Sequence, residues 1–200
     1  MIGRFFFLFT KPLVYISALS STPYQTGFSA MMAAIVVLIF PLCLAAAAFT
    51  DLFEMKIPNM IPLVMLAGFF ALAAVVGLPL REVSLHLLSG FIVLLACFTF
   101  FAFNVMGGGD AKLLSAAAVW FGFNLSLLVF LLQVTILGGV LTLLILLIRS
   151  QSSHILALRL PVPRSLLMEK KIPYGIAIAI GGFCSVLQSP LVLLAISAKK

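Results

Sequence analysis

The length of its uncharged runs limits what this chain can fold into more than any other feature. Met31 to Phe49 gives nineteen consecutive residues without a charge, and a helix needs about 20 apolar residues to cross a bilayer core of roughly 30 Å. Comparable runs follow from about Pro58 to Leu78, from Leu85 to Val105, from Leu125 to Ile148 and from Pro173 to near Ser197. Hydrophobic residues make up 64% of the sequence and charged ones 8%, whereas a soluble domain carries about 25% charged residues. The pattern predicts an all-α polytopic membrane protein with about six transmembrane helices.

The fourth helix, Ala111 to Phe121, is the shortest, and Gly122-Phe123-Asn124 reads as the tight turn between it and the fifth. One long helix from Ala111 to Gln133 is the alternative. Gly77 and Pro79 end the second span, Arg81 and Glu82 mark the next loop, and Pro58 suits the first turn of the second helix. Residues 1–28 are interrupted by Lys11-Pro12 and read as an interfacial or flexible segment ahead of the membrane domain, residues 29–200. Small residues at Ala45–Ala48 and Gly175–Gly182 suit close helix approach. Cys43, Cys97 and Cys184 sit singly in apolar runs and read as packing residues, and with His86 and His154 equally isolated no metal site is expected.

The formal charge of +7 is spread over the links rather than gathered in a patch, so it predicts a topology signal in the lipid bilayer and no nucleic-acid partner. Six spans place the Asp51 link, the glycine stretch Gly107-Gly108-Gly109 and a basic loop at about 149–172 on one side. Seven lysines and arginines lie on that side and five on the other. The positive-inside rule makes the richer side cytoplasmic.

Asp51 and Asp110 are the only aspartates, and both lie at the edges of apolar spans, where an acid is costly and is a functional candidate by default. Three glycines in a row are poor helix formers and predict a turn, with Asp110 placed to cap the helix behind it. Two carboxylates held close cannot both ionise easily, so one keeps a proton while the other draws one from water. That asymmetry predicts an aspartyl protease needing neither metal nor other cofactor. The bland alternative is two loop aspartates capping helices. Glu54 reads as a solvated loop charge, Lys112 as an interfacial anchor and His86 as a structural residue near the opposite surface.

Gly107-Gly108-Gly109-Asp110 fits the Gly-x-Gly-Asp signature of intramembrane aspartyl proteases. Together with Ala111-Lys112-Leu113-Leu114 it resembles bacterial type IV prepilin peptidases. Asp51 followed by Ile57-Pro58-Asn59 resembles the segment around that family's first acid, and Pro173-Tyr174-Gly175 with Gly181-Gly182 resembles a third family segment. The short length is similar to that of the tight-adherence (Flp-type) pilus peptidases. The resemblance implies a six-helix peptidase of the bacterial inner membrane that cleaves prepilins or pseudopilins after a glycine, at the cytoplasmic interface, for pilus assembly and secretion. Asp51 and Asp110 would be the catalytic pair, Gly107–Gly109 the active-site turn, and Pro58, Asn59, Lys112, Pro173, Tyr174 and Gly175 helix starts or groove residues. Larger members carry a cysteine-paired zinc insertion and methylate the product, and neither property is carried over to this chain. A small transporter or secretion-system subunit using the aspartates as a proton relay is the rival expectation.

Overall fold

The computed structural model describes residues 36–150 and 172–197, and every regular element among them is helical. In chain order these are α1 (Ile39–Glu54), α2 (Met60–Val76), α3 (Leu80–Ala102), α4 (Gly108–Phe121), α5 (Leu125–Ser150), α6 (Tyr174–Ser185), a 3-10 turn at Val186–Gln188, and α7 (Pro190–Ser197). Segment 1–28 and residues 151–171 of the basic loop lie outside the described residues.

Helix α4 is the centre of the bundle. Eleven of its 14 residues are buried, and α2, α3, α6 and α7 pack around it. Its run Ser115-Ala116-Ala117-Ala118 presents almost no side-chain bulk, which lets neighbouring backbones come near. On α3 the matching residue is Gly90, where a methyl group would overlap Val119 and stand 3.0 Å from the Ser115 carbonyl oxygen. Helix α6 lies between α1 and α5, with Gly182 against Leu44 of α1 and Gly181 against Val134 of α5. An aromatic core closes the bundle, with Phe40 against Trp120 at 5.1 Å and Phe121 stacked on Phe130 at 4.5 Å.

Helices α3 and α5 are long and apolar enough to cross a membrane, while α2 and the stretch Tyr174–Gln188 are apolar but shorter. Only 28% of the apolar window of α3 and 17% of that of α5 is buried within the chain. The remainder, including Leu128, Leu132, Ile136 and Leu143, faces outward. Apolar faces this wide need lipid rather than water, and the chain is a membrane protein.

Several boundaries differ from the sequence expectation. Helix α1 runs through Asp51 to Glu54, because Leu52 and Phe53 contain nothing that breaks a helix; Met55, at φ 52°, closes it. Pro58 stands before the N-cap Asn59 instead of inside the first turn of α2. Arg81 and Glu82 belong to the first turn of α3, where Glu82 meets the positive end of the helix dipole. The glycine stretch is not itself the turn: the chain reverses over residues 103–106, with Asn104 at φ 56°, and Gly108 and Gly109 are already helical. Both stand in the first turn of α4, ahead of Asp110.

Gly122, at φ 70°, does separate α4 from α5, so the single long helix is excluded. The apolar run expected to form a sixth span is broken, because Pro190 forces Ser189 into an extended conformation, ψ 125°. Cys43 and Cys97 are buried as expected of packing residues, but Cys184 is exposed.

Candidate active site

Asp51 lies in the last turn of α1, whose end is tied by the Met55 N–H donating to the Asp51 carbonyl at 3.1 Å. Its carboxylate points across to the start of α6, where the Gly175 N–H donates to Asp51 Oδ2 at 2.7 Å. The first N–H groups of a helix lack partners of their own, so Asp51 caps α6 from a different helix. The residue is 5% exposed. There is no room for anything larger than hydrogen on the α carbon of residue 175. A methyl group would stand 2.8 Å from Asp51 Oδ2 and 3.0 Å from its Cβ.

Asp110 is the third residue of α4, two places beyond the first helical residue, Gly108, and is 7% exposed. It is not the N-cap; that position is Gly107. The carboxylate folds back over Gly107, whose missing side chain would otherwise lie 2.8 Å from Oδ2. A negative charge in the first turn is favoured by the helix dipole.

Two contacts join the acids' supports. Ile57, in the link that follows α1, packs on Gly109, and a methyl group there would lie 3.1 Å from the Ile57 Cβ. Lys112 donates from Nζ to Asn59 Oδ1 at 2.9 Å. Phe101, near the end of α3, covers Gly108. The end of α1, the start of α2, the end of α3 and the starts of α4 and α6 therefore meet at one end of the bundle, with both aspartates buried in it.

Among the residues singled out by sequence, Asp51 is joined to Gly175, Asp110 to Gly107 and Lys112 to Asn59. Lys112, Pro58 and Asn59 are exposed, as is Glu54. Tyr174 turns away toward α5, with its hydroxyl 3.4 Å from Thr142 Oγ1 and its ring against Gly138, while Pro173 is buried just before it. Sequence reasoning missed Ile57 as the residue that seats Gly109, although the Ile-Pro-Asn segment contained it. It read His86 as a structural residue near the surface opposite the acids, and the ring is buried, 6% exposed, at the end of α4 away from them; what it missed is the partner there, the Val119 carbonyl.

The sequence model of the type IV leader peptidase family matches residues 38–143, or 106 of the 200 residues. The matched stretch holds both aspartates and the three glycines. No curated protein and no solved structure matches the chain.

Proposed function

This chain belongs to the type IV leader peptidase family, and from that premise we propose that Asp51 and Asp110 are its catalytic pair. The observation that carries this reading is that the sequence's only two aspartates are both buried at the same end of the bundle, each against the start of a helix. One acid, ionised, removes a proton from a water lying between them. The other, protonated, donates a hydrogen bond to the scissile carbonyl as it becomes tetrahedral. The Gly175 N–H holds one oxygen of Asp51, leaving the other to act on the water.

The substrate we propose is a prepilin or pseudopilin of the Flp-like kind, cut after a glycine where its basic leader meets the apolar pilin helix. The enzyme would be a multi-pass protein of the bacterial inner membrane with six membrane segments, its acids at the cytoplasmic interface. The antiparallel order of the helices supports that arrangement: Gly90 of α3 faces Val119 of α4, Leu44 of α1 faces Gly182 of α6, and Val134 of α5 faces Gly181. Helix α4, at about 21 Å for its length, is too short to cross the apolar core alone and would be carried within it by its longer neighbours.

The test uses purified protein in detergent and a panel of prepilins. Asp51→Asn and Asp110→Asn should each abolish leader cleavage while the protein stays folded. Full cleavage by either variant refutes the pair, and solute uptake without proteolysis would favour a proton relay.

A further inference from the structure

At the end of α4 away from the acids, polar side chains from elsewhere in the chain reach its last carbonyls. His86 Nδ1 lies 2.6 Å from the Val119 oxygen and Ser189 Oγ donates to the Trp120 oxygen at 2.6 Å, while Ser89 Oγ, whose one proton goes to the His86 carbonyl at 2.6 Å, lies 3.1 Å from the Ala118 oxygen. All three side chains are buried. A carbonyl only accepts, so His86 carries its proton on Nδ1. The imidazole is boxed in by Phe69, with ring centres 5.3 Å apart, and by Gly122, where a methyl group would lie 2.8 Å from its Nε2 and Cε1. Gly122 has φ 70°, so both its backbone and its lack of a side chain suit this contact. The last carbonyls of a helix need partners from outside it, and here the neighbouring segments supply them.

We propose that His86 is a positioning residue for Asp110: its bond to the Val119 carbonyl fixes where α4 stands along and around its own axis relative to α3. The contact to be fixed is a close one. The Val119 side chain occupies the space left by the missing side chain of Gly90, with alanines beside it, so α3 and α4 meet through small residues and one apolar knob. A buried polar pair with one geometry specifies register where apolar contacts do not. A helix transmits the register along its length. Val119 and Asp110 are nine residues apart, about 14 Å at 1.5 Å per residue, so a slip at the His86 end displaces the carboxylate at the other. A misplacement of about 1 Å in a catalytic group costs on the order of 100-fold in rate.

This inference rests on the proposed role of Asp110, and the experiment separates the two. Full-length His86→Asn, His86→Gln and His86→Phe are purified in detergent beside wild type and Asp110→Asn, using a prepilin that the wild type cleaves. An asparagine amide can donate from about the place of Nδ1; a glutamine amide reaches the place of Nε2; phenylalanine keeps the ring without a donor. Emission from Trp120, the sequence's single tryptophan and the neighbour of Val119, reports the seating of α4.

The expected result is a kcat lowered roughly 10- to 100-fold in the Gln and Phe variants with KM unchanged, a shifted Trp120 emission in both, and recovery of both readouts in His86→Asn. Wild-type kcat in His86→Phe overturns the proposal, as does equal loss in Asn and Gln. If Phe does not fold, the Asn and Gln pair still decides it. Retained cleavage by Asp110→Asn refutes the catalytic pair instead, whatever the His86 series gives.

Discussion

Replacing Gly175 by alanine tests whether Asp51 is held by the start of α6. The added methyl group would stand 2.8 Å from Asp51 Oδ2, 3.0 Å from its Cβ and 3.1 Å from its Cγ. Non-bonded carbon atoms settle at about 3.5–4.0 Å, so the carboxylate has to retreat by roughly half an ångström or more, or α6 has to lift off α1. Either movement stretches the 2.7 Å bond from the Gly175 N–H, and a hydrogen bond to a charged group contributes about 1.5–3 kcal/mol.

Stability and activity then respond differently. Overpacking costs about 1–3 kcal/mol. Alanine recovers less than the roughly 1 kcal/mol it gains over glycine in a helix interior, because residue 175 stands in the first turn of α6. The net loss of stability is at most about 3 kcal/mol. Activity has no such offset. With Asp51 as one of the proposed catalytic pair, a displacement of this size predicts a kcat lower by about 10-fold or more. Leader-cleavage kinetics and thermal unfolding in detergent, run on the same preparations, separate the two effects. Gly139→Ala is the control, since a methyl group there has open space around it. Wild-type kcat in a folded Gly175→Ala protein would refute the claim that this contact places Asp51.

Gly109→Val adds bulk where even a methyl group is 3.1 Å from the Ile57 Cβ. It should push the link after α1 away from α4, and the prediction is a fall in kcat of at least about 10-fold, read in the cleavage assay. Gly90→Val overlaps Val119 and presses on the Ser115 backbone, which cannot rotate away. We expect a loss of about 1–3 kcal/mol in stability, measured by thermal unfolding, and a Gly90→Val protein as stable as wild type would contradict the close α3–α4 packing.

What could be read from the sequence was mainly what is local. Gly77 and Gly122 ended helices because both take positive φ, a requirement that the residue type announces. The aspartates were legible because an acid beside a long apolar run is costly wherever it ends up. Charge was a poorer guide to helix ends: Asp51 and Glu54 suggested a link, but a helix continues through charged residues when no breaker intervenes, and α1 does so. Hydropathy likewise hid the break at Ser189-Pro190, since leucine and valine continue on both sides of it.

The partner of His86 was beyond reach, because Val119 is 33 residues away and the pair shares no periodicity. The same holds for Trp120 and the Met65 carbonyl, 55 residues apart. Tertiary contact, not pattern, decides such pairs.

The two acids solve one electrostatic problem in different ways. A buried carboxylate needs donors or a favourable dipole close by, and a helix supplies these only at its N-terminus. Asp110 uses its own helix, standing in the first turn of α4. Asp51 stands in the last turn of α1, at the wrong end of its own dipole, and takes the N–H of Gly175 at the start of α6 instead. That borrowing requires α6 to begin at the level of Asp51, and the N-terminal support of Asp110 requires α4 to begin in the same layer. Both helices begin in that layer, and their other ends are set independently, by Gly122 in α4 and by the break before Pro190 beyond α6. A longer α4 or α6 extended past that layer would carry its first N–H groups away from the acids and leave a mid-helix surface against them, with no donor to offer.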